Sequence, residues 1–365
     1  MSKIKKIEKI TKHTLTNLKE PILPPQKPFI ISSNKKNIIK NLKSDIKPKT
    51  PKQTRLKMST RQGYGDGLLK VGKQKNVVVL CADLTNSTNT ASFEKAYPKR
   101  FFQCGVAEQN MVSMAVGLAL SKKIPYVSTF AAFIPNRALD QVRVGACYNN
   151  LPIKFCSTHA GLTLGEDGAT HQAMEDIASM RSLPNMKVIV PCDYDEAKKA
   201  TVAIYKEKGP VYLRLGRSKL PRITSEHSKF EVGKANLLRP GNDITIIACG
   251  VMVSQAMRAA EILSLKGIDA EIINLHTIKP IDENAIITSA KKTGLVVTAE
   301  EHQIYGGLGS AVSEVLSKNH PVPMDFVAVK DTFGESGKPD ELLRKYDVDY
   351  QSIIAAAEKL LKKSS

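Results

Sequence analysis

The 365-residue sequence predicts an α/β protein, two doubly wound domains preceded by a disordered basic N-terminal tail. Three observations lead there. Short apolar runs rich in β-branched residues alternate with helical stretches, the rhythm of parallel strands whose crossovers cover both faces of a sheet. That rhythm breaks over 221–242, PRITSEHSKFEVGKANLLRPGN, then resumes. The net charge of +19 is concentrated at one end, where residues 1–57 hold 16 Lys/Arg against 3 Asp/Glu.

The tail comes first. It lacks glycine, is studded with proline from Pro21 onward, and offers only Ile4, Ile7 and Ile10 as a short amphipathic turn. It has no secretory h-region or cleavage site, and reads as a low-complexity extension in preference to a Lys-rich organellar presequence. Beyond it the charge falls to about +6, which marks no nucleic-acid surface. No run approaches the ~20 apolar residues of a membrane span. The six cysteines (Cys81, Cys104, Cys147, Cys156, Cys192, Cys249) sit mostly in apolar runs without CxxC spacing, as free thiols in a reducing cytoplasm do. The expected division is 1–57 tail, 58–224 first domain and 225–365 second.

In the first domain, strands are predicted at NVVVLCADL (76–84), RFFQCG (100–105), IPYVSTF (124–130), LPIKFCSTH (151–159), MKVIVPC (186–192) and PVYLRLG (210–216). Helical patterns lie at 108–120, 137–149, 173–182 and 194–208, and RQGYGDGLLKVG (61–72) is a further helix. After a hairpin-like start, the second domain repeats the alternation. Strands are expected at 243–250, 270–275 and 294–301, with helices at 253–266, 282–292 and from Gly309.

The unusual polar and aromatic residues share one address on this map. Asp83 follows the first strand, Gly105–Glu108 the second, Phe130 and Phe133 the third, His159 the fourth, Asp193 the fifth and Arg217 the sixth. In open α/β sheets ligands bind outside the carboxyl ends of the strands. The loop THAGLTLGEDGATHQ (158–172) adds two histidines and two carboxylates, groups able to exchange protons and orient hydroxyls. His159 and His171 lie twelve apart without a partnering H-x₃-H or C-x-x-C, so no metal cage is expected. GYGDG (63–67) lies inside a probable helix and lacks the Asn run of a magnesium-diphosphate motif, so it is not read as one. GGLGS (306–310) opens a helix, either for close packing or to hold an anion on its N–H groups. Glu108 is the oddest placement, a carboxylate at the mouth of a helix otherwise built to be dry.

These stretches resemble the second half of transketolase. The likeness is carried by ADLTNST (82–88), GVAEQNM (105–111), STFAAF (128–133), THAGLTLGEDGATHQ, MEDIASMRSLPNMKVIVPCD (174–193), LRLGRSKLP (213–221), INLHTIKPID (273–282) and AEEHQIYGGLGSAVSEVL (299–316), in collinear order. It implies a thiamin-diphosphate-binding fold of the pyrimidine type followed by a smaller transketolase C-terminal-like domain. The diphosphate- and magnesium-binding domain that opens a full-length transketolase is replaced here by the basic tail. The chain therefore resembles the C-terminal subunit of a split transketolase. The partner implied is an N-terminal transketolase subunit that grips the diphosphate of thiamine diphosphate through Mg²⁺ or another divalent ion, in an α2β2 assembly.

Roles follow by the same resemblance. Glu108 would share a proton with the aminopyrimidine, a task that a dry site favours because desolvation raises carboxylate proton affinity. Phe130 and Phe133 would line the pyrimidine pocket, Phe133 by stacking. Asn136 stands where some members place Tyr. Asp83 would lie at the subunit seam near the cofactor. Arg61, Ser87, His159 and Arg217 would hold the sugar phosphate, Asp167 would read the substrate's C2 hydroxyl, and His171 would contact the donor and assist proton transfer. The reaction implied moves a two-carbon ketol unit from a ketose phosphate to an aldose phosphate. The alternatives are the β subunit of a 2-oxo-acid dehydrogenase, which generally lacks the 158–172 loop, a deoxyxylulose-phosphate synthase, which typically has Arg at the position of His159, and a non-catalytic paralogue using the basic tail.

Overall fold

A run such as VVVLC carries no polar face, so it is stable as a strand only where helices cover both sides of the sheet. Burial follows that logic: β1 (Val77–Cys81), β4 (Lys154–Thr158) and β6 (Val211–Arg214) are buried at every position. The computed structural model describes residues 57–364. The expectations for the tail therefore lie, except for Lys57, outside the described residues.

The chain forms two α/β domains with parallel-rich sheets. With β2 (Phe101–Gln103), β3 (Ile124–Phe130), β5 (Lys187–Ile189) and β10 (Thr277–Lys279), the first sheet has seven strands in the order β10-β5-β6-β4-β3-β1-β2. The second sheet orders five strands as β12-β11-β8-β9-β7. They are β7 (Asn236–Arg239), β8 (Ile244–Ala248), β9 (Ala270–Asn274), β11 (Val296–Gln303) and β12 (Met324–Val329). Among the described strands only β7 on β9 and β10 on β5 run antiparallel. β10 corrects the sequence reading: after β9 the chain leaves the second sheet and pairs on the edge of the first. Three residues are too few for a periodic signal, so this strand was not predicted.

Helix α1 (Thr60–Val71) starts in a capping box between Ser59 and Gln62. Its glycines serve packing against α6 (Tyr194–Ala203). A Cβ on Gly63 would stand 2.2 Å from the Tyr194 carbonyl, and one on Gly67 would stand 2.6 Å from Thr201. A Cβ on Gly65 would stand 2.5 Å from the Asn89 carbonyl, so both glycines of the GDG triplet lie at close contacts within the chain. Between them in sequence come α2 (Ala91–Ala96), α3 (Glu108–Leu120), α4 (Ile134–Arg137) and α5 (Asp176–Ser182). The single helix expected over 137–149 is instead α4, opened by Pro135, followed by a π-type helix at Gln141–Tyr148. α6 stops at Ala203 and gives way to a 3₁₀ turn at Ile204–Lys206. In the second domain α7 (Met252–Leu265), α8 (Glu283–Thr293) and α9 (Leu308–Asn319) flank the sheet, and α10 (Pro339–Lys345) and α11 (Tyr350–Ser364) close the chain.

Candidate functional site

The residues singled out from the sequence converge on the carboxyl edge of the first sheet. β3 ends at Phe130, and the turn that follows delivers Phe133, their rings stacked at 5.6 Å. β4 ends at Thr158, and His159 follows in the left-handed region at φ 62°, a conformation that a β-strand end adopts only under constraint. That twist lays the His159 ring on Phe130 at 3.9 Å between centroids. His171 meets both phenyl rings edge-on, at 6.2 Å from Phe130 and 5.6 Å from Phe133. Two phenyl and two imidazole rings therefore form one shelf.

Glu108 stands at the first position of α3, after Gly105 turns the chain at φ 67°. Its side chain is 4 % exposed, and both carboxylate oxygens accept from Arg137 Nη1, at 3.3 and 3.4 Å. The Arg137 guanidinium carbon lies 3.9 Å over the Phe133 ring. One cation therefore bridges the buried carboxylate and the aromatic shelf. Asn136 donates to Glu175 at 3.1 Å.

A basic group flanks the shelf. Arg61 Nη1 donates to the Ser87 carbonyl at 2.8 Å and lies 3.4 Å from His159 Nε2. His159 Nδ1 pairs with Thr158 Oγ1 at 2.8 Å. An imidazole with its proton on Nδ1 satisfies both contacts, because Nε2 then accepts from Arg61. Burial, reinforced by the charges of Arg61, Arg217 and His171, drives His159 down to about 3, so the ring is neutral across the physiological range. Burial and Arg217 also lower Arg61. Arg217 lies 3.4 Å from Asp167 and 3.5 Å from Glu166, and it donates to the Leu164 carbonyl at 3.1 Å. The charge of Arg217 acts on both Arg61 and His159, and guanidinium groups grouped in this way could receive an anion.

Of the predicted residues, Phe130, Phe133, His159, His171 and Arg61 are joined in one cluster, and Glu108 joins it through Arg137. Asp167, on loop 158–172, meets Arg217, three residues past β6, and the charge of Arg217 reaches Arg61 and His159. Ser87 meets the cluster through its carbonyl and not its hydroxyl. Asp83 is exposed in the left-handed region at φ 58°, its N–H given to Gln103. Asp193 is buried and structural, capping α6 and accepting from Ile223 and Thr224. GGLGS does hold an anion, but the chain's own: Glu300 accepts from Leu308 and Gly309 N–H at 2.7 and 2.8 Å. Arg137 was missed by sequence reasoning, since nothing in its spacing ties it to a residue 29 positions earlier.

A buried acceptor carboxylate beside an aromatic shelf suits an aminopyrimidine. Among the described residues no group of three or more His, Cys, Asp or Glu is placed to hold a metal, and no helix is long and apolar enough to cross a membrane.

Comparison with known proteins matches residues 56–222 to the transketolase pyrimidine-binding domain and residues 233–353 to the transketolase C-terminal domain. A Methanocaldococcus jannaschii protein named as a transketolase C-terminal section is 48% identical over 307 residues, 83% of this chain and 96% of that one. A 6-deoxy-6-sulfo-D-fructose transketolase subunit of Clostridium sp. is 43% identical, over 84% of this chain and 95% of its own length. Among solved structures, one titled a split gene transketolase, inactive beta4 tetramer, superposes with a TM-score of 0.79 at 46% identity, over 84% of this chain and 99% of that one.

Proposed function

The chain belongs to the transketolase family, which implies dependence on thiamine diphosphate, and on that premise we propose that it is the C-terminal subunit of a split transketolase that moves a ketol unit between sugar phosphates. The observation that carries this reading is the placing of buried Glu108 and the Phe130–Phe133 shelf against the cluster of Arg61, His159 and Arg217. Relatives that match over nearly their whole length support the split arrangement.

Bound thiamine diphosphate would supply the stabilisation of carbanions that no side chain offers. Glu108 would hold a proton at the pyrimidine nitrogen from a position shielded from water, and Phe133 would carry the ring on its face. Arg137 would have to leave that face first. Arg61 and Arg217 would grip the substrate's phosphate, and neutral His159 would orient it through a hydrogen bond. Asp167 would read the C2 hydroxyl, and His171, edge-on to both phenyl rings, would move a proton at the donor. Asp83 would meet the subunit seam.

The N-terminal subunit would supply the diphosphate and divalent-metal half, in an α2β2 complex. A surface for it would include the exposed apolar residues Val106, Met114 and Leu120 of α3 and its approach, together with Val144 and Tyr148 of the π-type helix packed on α3. Gly117 in mid-α3 has open space where a Cβ would be, so nothing among the described residues requires glycine there. An exposed apolar face of this kind marks an interface. The reading is tested by titrating purified chain with the partner in the presence of thiamine diphosphate and Mg²⁺, and following ketol transfer from a panel of phosphorylated and sulfonated ketoses. The Clostridium relative makes the sulfonated sugars a necessary comparison. Turnover that requires both chains supports the proposal, and a partner without effect rejects it.

A further inference from the structure

The loop that carries His159 and Asp167 is held from beneath by an acid of the other domain. Glu301, near the end of β11, is buried, and its Oε1 accepts the N–H of Thr163. The carbonyl of the same residue accepts from the Ser218 hydroxyl at 2.6 Å, and the next carbonyl, of Leu164, accepts from Arg217 at 3.1 Å. Thr163 is therefore clasped on both sides, by Glu301 below and by the Arg217–Ser218 segment above.

The space around this carboxylate is fitted to it. A Cβ on Gly161, which sits at φ 79°, would lie 2.3 Å from the Glu301 carboxyl carbon, so the acid fills the room of a missing side chain. Beside it is a cavity of about 20 Å³, lined by Thr60, Thr163, Arg214, Gly216, Ser218 and Glu301, with room for one water. Thr60 Oγ1 exchanges hydrogen bonds with the Gly216 N–H at 2.7 Å and its carbonyl at 3.3 Å. Arg61 and Arg217 are the next residues in each strand of chain. The carboxylate thus underlies both arginine-bearing segments.

We propose that Glu301 is a positioning residue for the sugar-phosphate site, its buried carboxylate clasping Thr163 and so setting where loop 158–172 presents His159, Asp167 and the Arg217 contact. The role in sugar-phosphate binding rests on the transketolase reading, whereas the clasp on the loop does not.

The charged and titratable groups facing Glu301 are Arg214 from β6, Asp176 from α5 and Cys249 after β8, with Glu300 beside it on its own strand. Arg214 Nη2 donates to the Glu301 carbonyl at 3.0 Å, and its Nε donates to Asp176 at 2.8 Å. Burial raises the Glu301 carboxyl to about 7 in spite of Arg214 and the Thr163 hydrogen bond. An ionised acceptor binds an N–H about twice as strongly as a neutral one, so the clasp tightens as Glu301 loses its proton.

The test is hydrogen exchange of peptides spanning 158–172 in the full chain between pH 6 and 8, corrected for the intrinsic rate, for wild type and Glu301→Gln. Protection of the loop is expected to rise about fivefold across that range in wild type, and to stay at the low-pH level in the glutamine variant. In the assembled enzyme KM for sugar phosphates should fall about fivefold over the same range only in wild type, with kcat nearly unchanged. Loop protection in wild type that is flat through neutrality would overturn the proposal, and so would an unaltered profile in Glu301→Gln. If that variant does not fold, the wild-type profile decides alone. A pH-dependent clasp without any sugar-phosphate turnover would count against the transketolase reading and leave the positioning of the loop in place.

Discussion

Replacing Glu108 by glutamine separates its chemical part from its structural one. Glutamine fills the same volume, so no cavity opens. What is lost is the ion pair to Arg137, whose side chain is 51% exposed and therefore well screened. Pairs of that kind contribute about 0–1 kcal/mol, so the fold should weaken by no more than about 1 kcal/mol. The proton-sharing role is larger: positioned acid–base groups contribute about 10²–10⁴-fold, or roughly 3–5 kcal/mol of barrier. The assay is steady-state ketol transfer by the assembled complex, run beside thermal melting and thiamine diphosphate binding. A fall in kcat of at least about a hundredfold with melting nearly unchanged is expected. A rate within threefold of wild type in a folded, cofactor-bound variant would refute the reasoning.

Arg217→Ala should raise KM for phosphorylated sugars by tenfold or more and leave unphosphorylated sugars nearly unchanged, and equal effects on both would remove Arg217 from the phosphate site. Arg137→Ala should tighten thiamine diphosphate binding several-fold, because the guanidinium over Phe133 and against Glu108 no longer competes for that place, whereas weaker binding would make Arg137 a cofactor ligand. Asp176→Ala leaves buried Arg214 without its carboxylate and should cost about 3–5 kcal/mol by urea unfolding, with a loss under 1 kcal/mol as the contrary result. Lys154, buried with its ammonium on the carbonyls of Glu207 and Gly209, is brought down to about 7 by burial and by Lys187. The unfolded chain then binds the extra proton between about pH 7 and the ordinary lysine value, so stability should rise with pH across that window and Lys154→Met should flatten the rise. An unchanged slope would contradict the assignment.

Elements with a strong period were legible in the sequence. Helix α3 and strand β3 fall where the patterns of 108–120 and 124–130 placed them, because each presents an apolar surface to a core that demands it. The π-type helix at Gln141–Tyr148 was read as ordinary helix, since its hydrogen-bonding departs from 3.6 residues per turn without changing the apolar pattern. Strand β10 was invisible because what stabilises it is the edge of another domain's sheet. The site divides along the same line. Phe130, Phe133, His159 and Arg217 sit at strand ends, an address that strand prediction supplies. Glu301 reaches Thr163 across 138 residues, and such a contact leaves no local trace.

The most direct measurement is ketol transfer by this chain mixed with its diphosphate-binding partner, thiamine diphosphate and Mg²⁺, against each component alone. Turnover that appears only in the complete mixture, and collapses with Glu108→Gln, is the predicted result. Full turnover by this chain with cofactor and no partner would contradict the account.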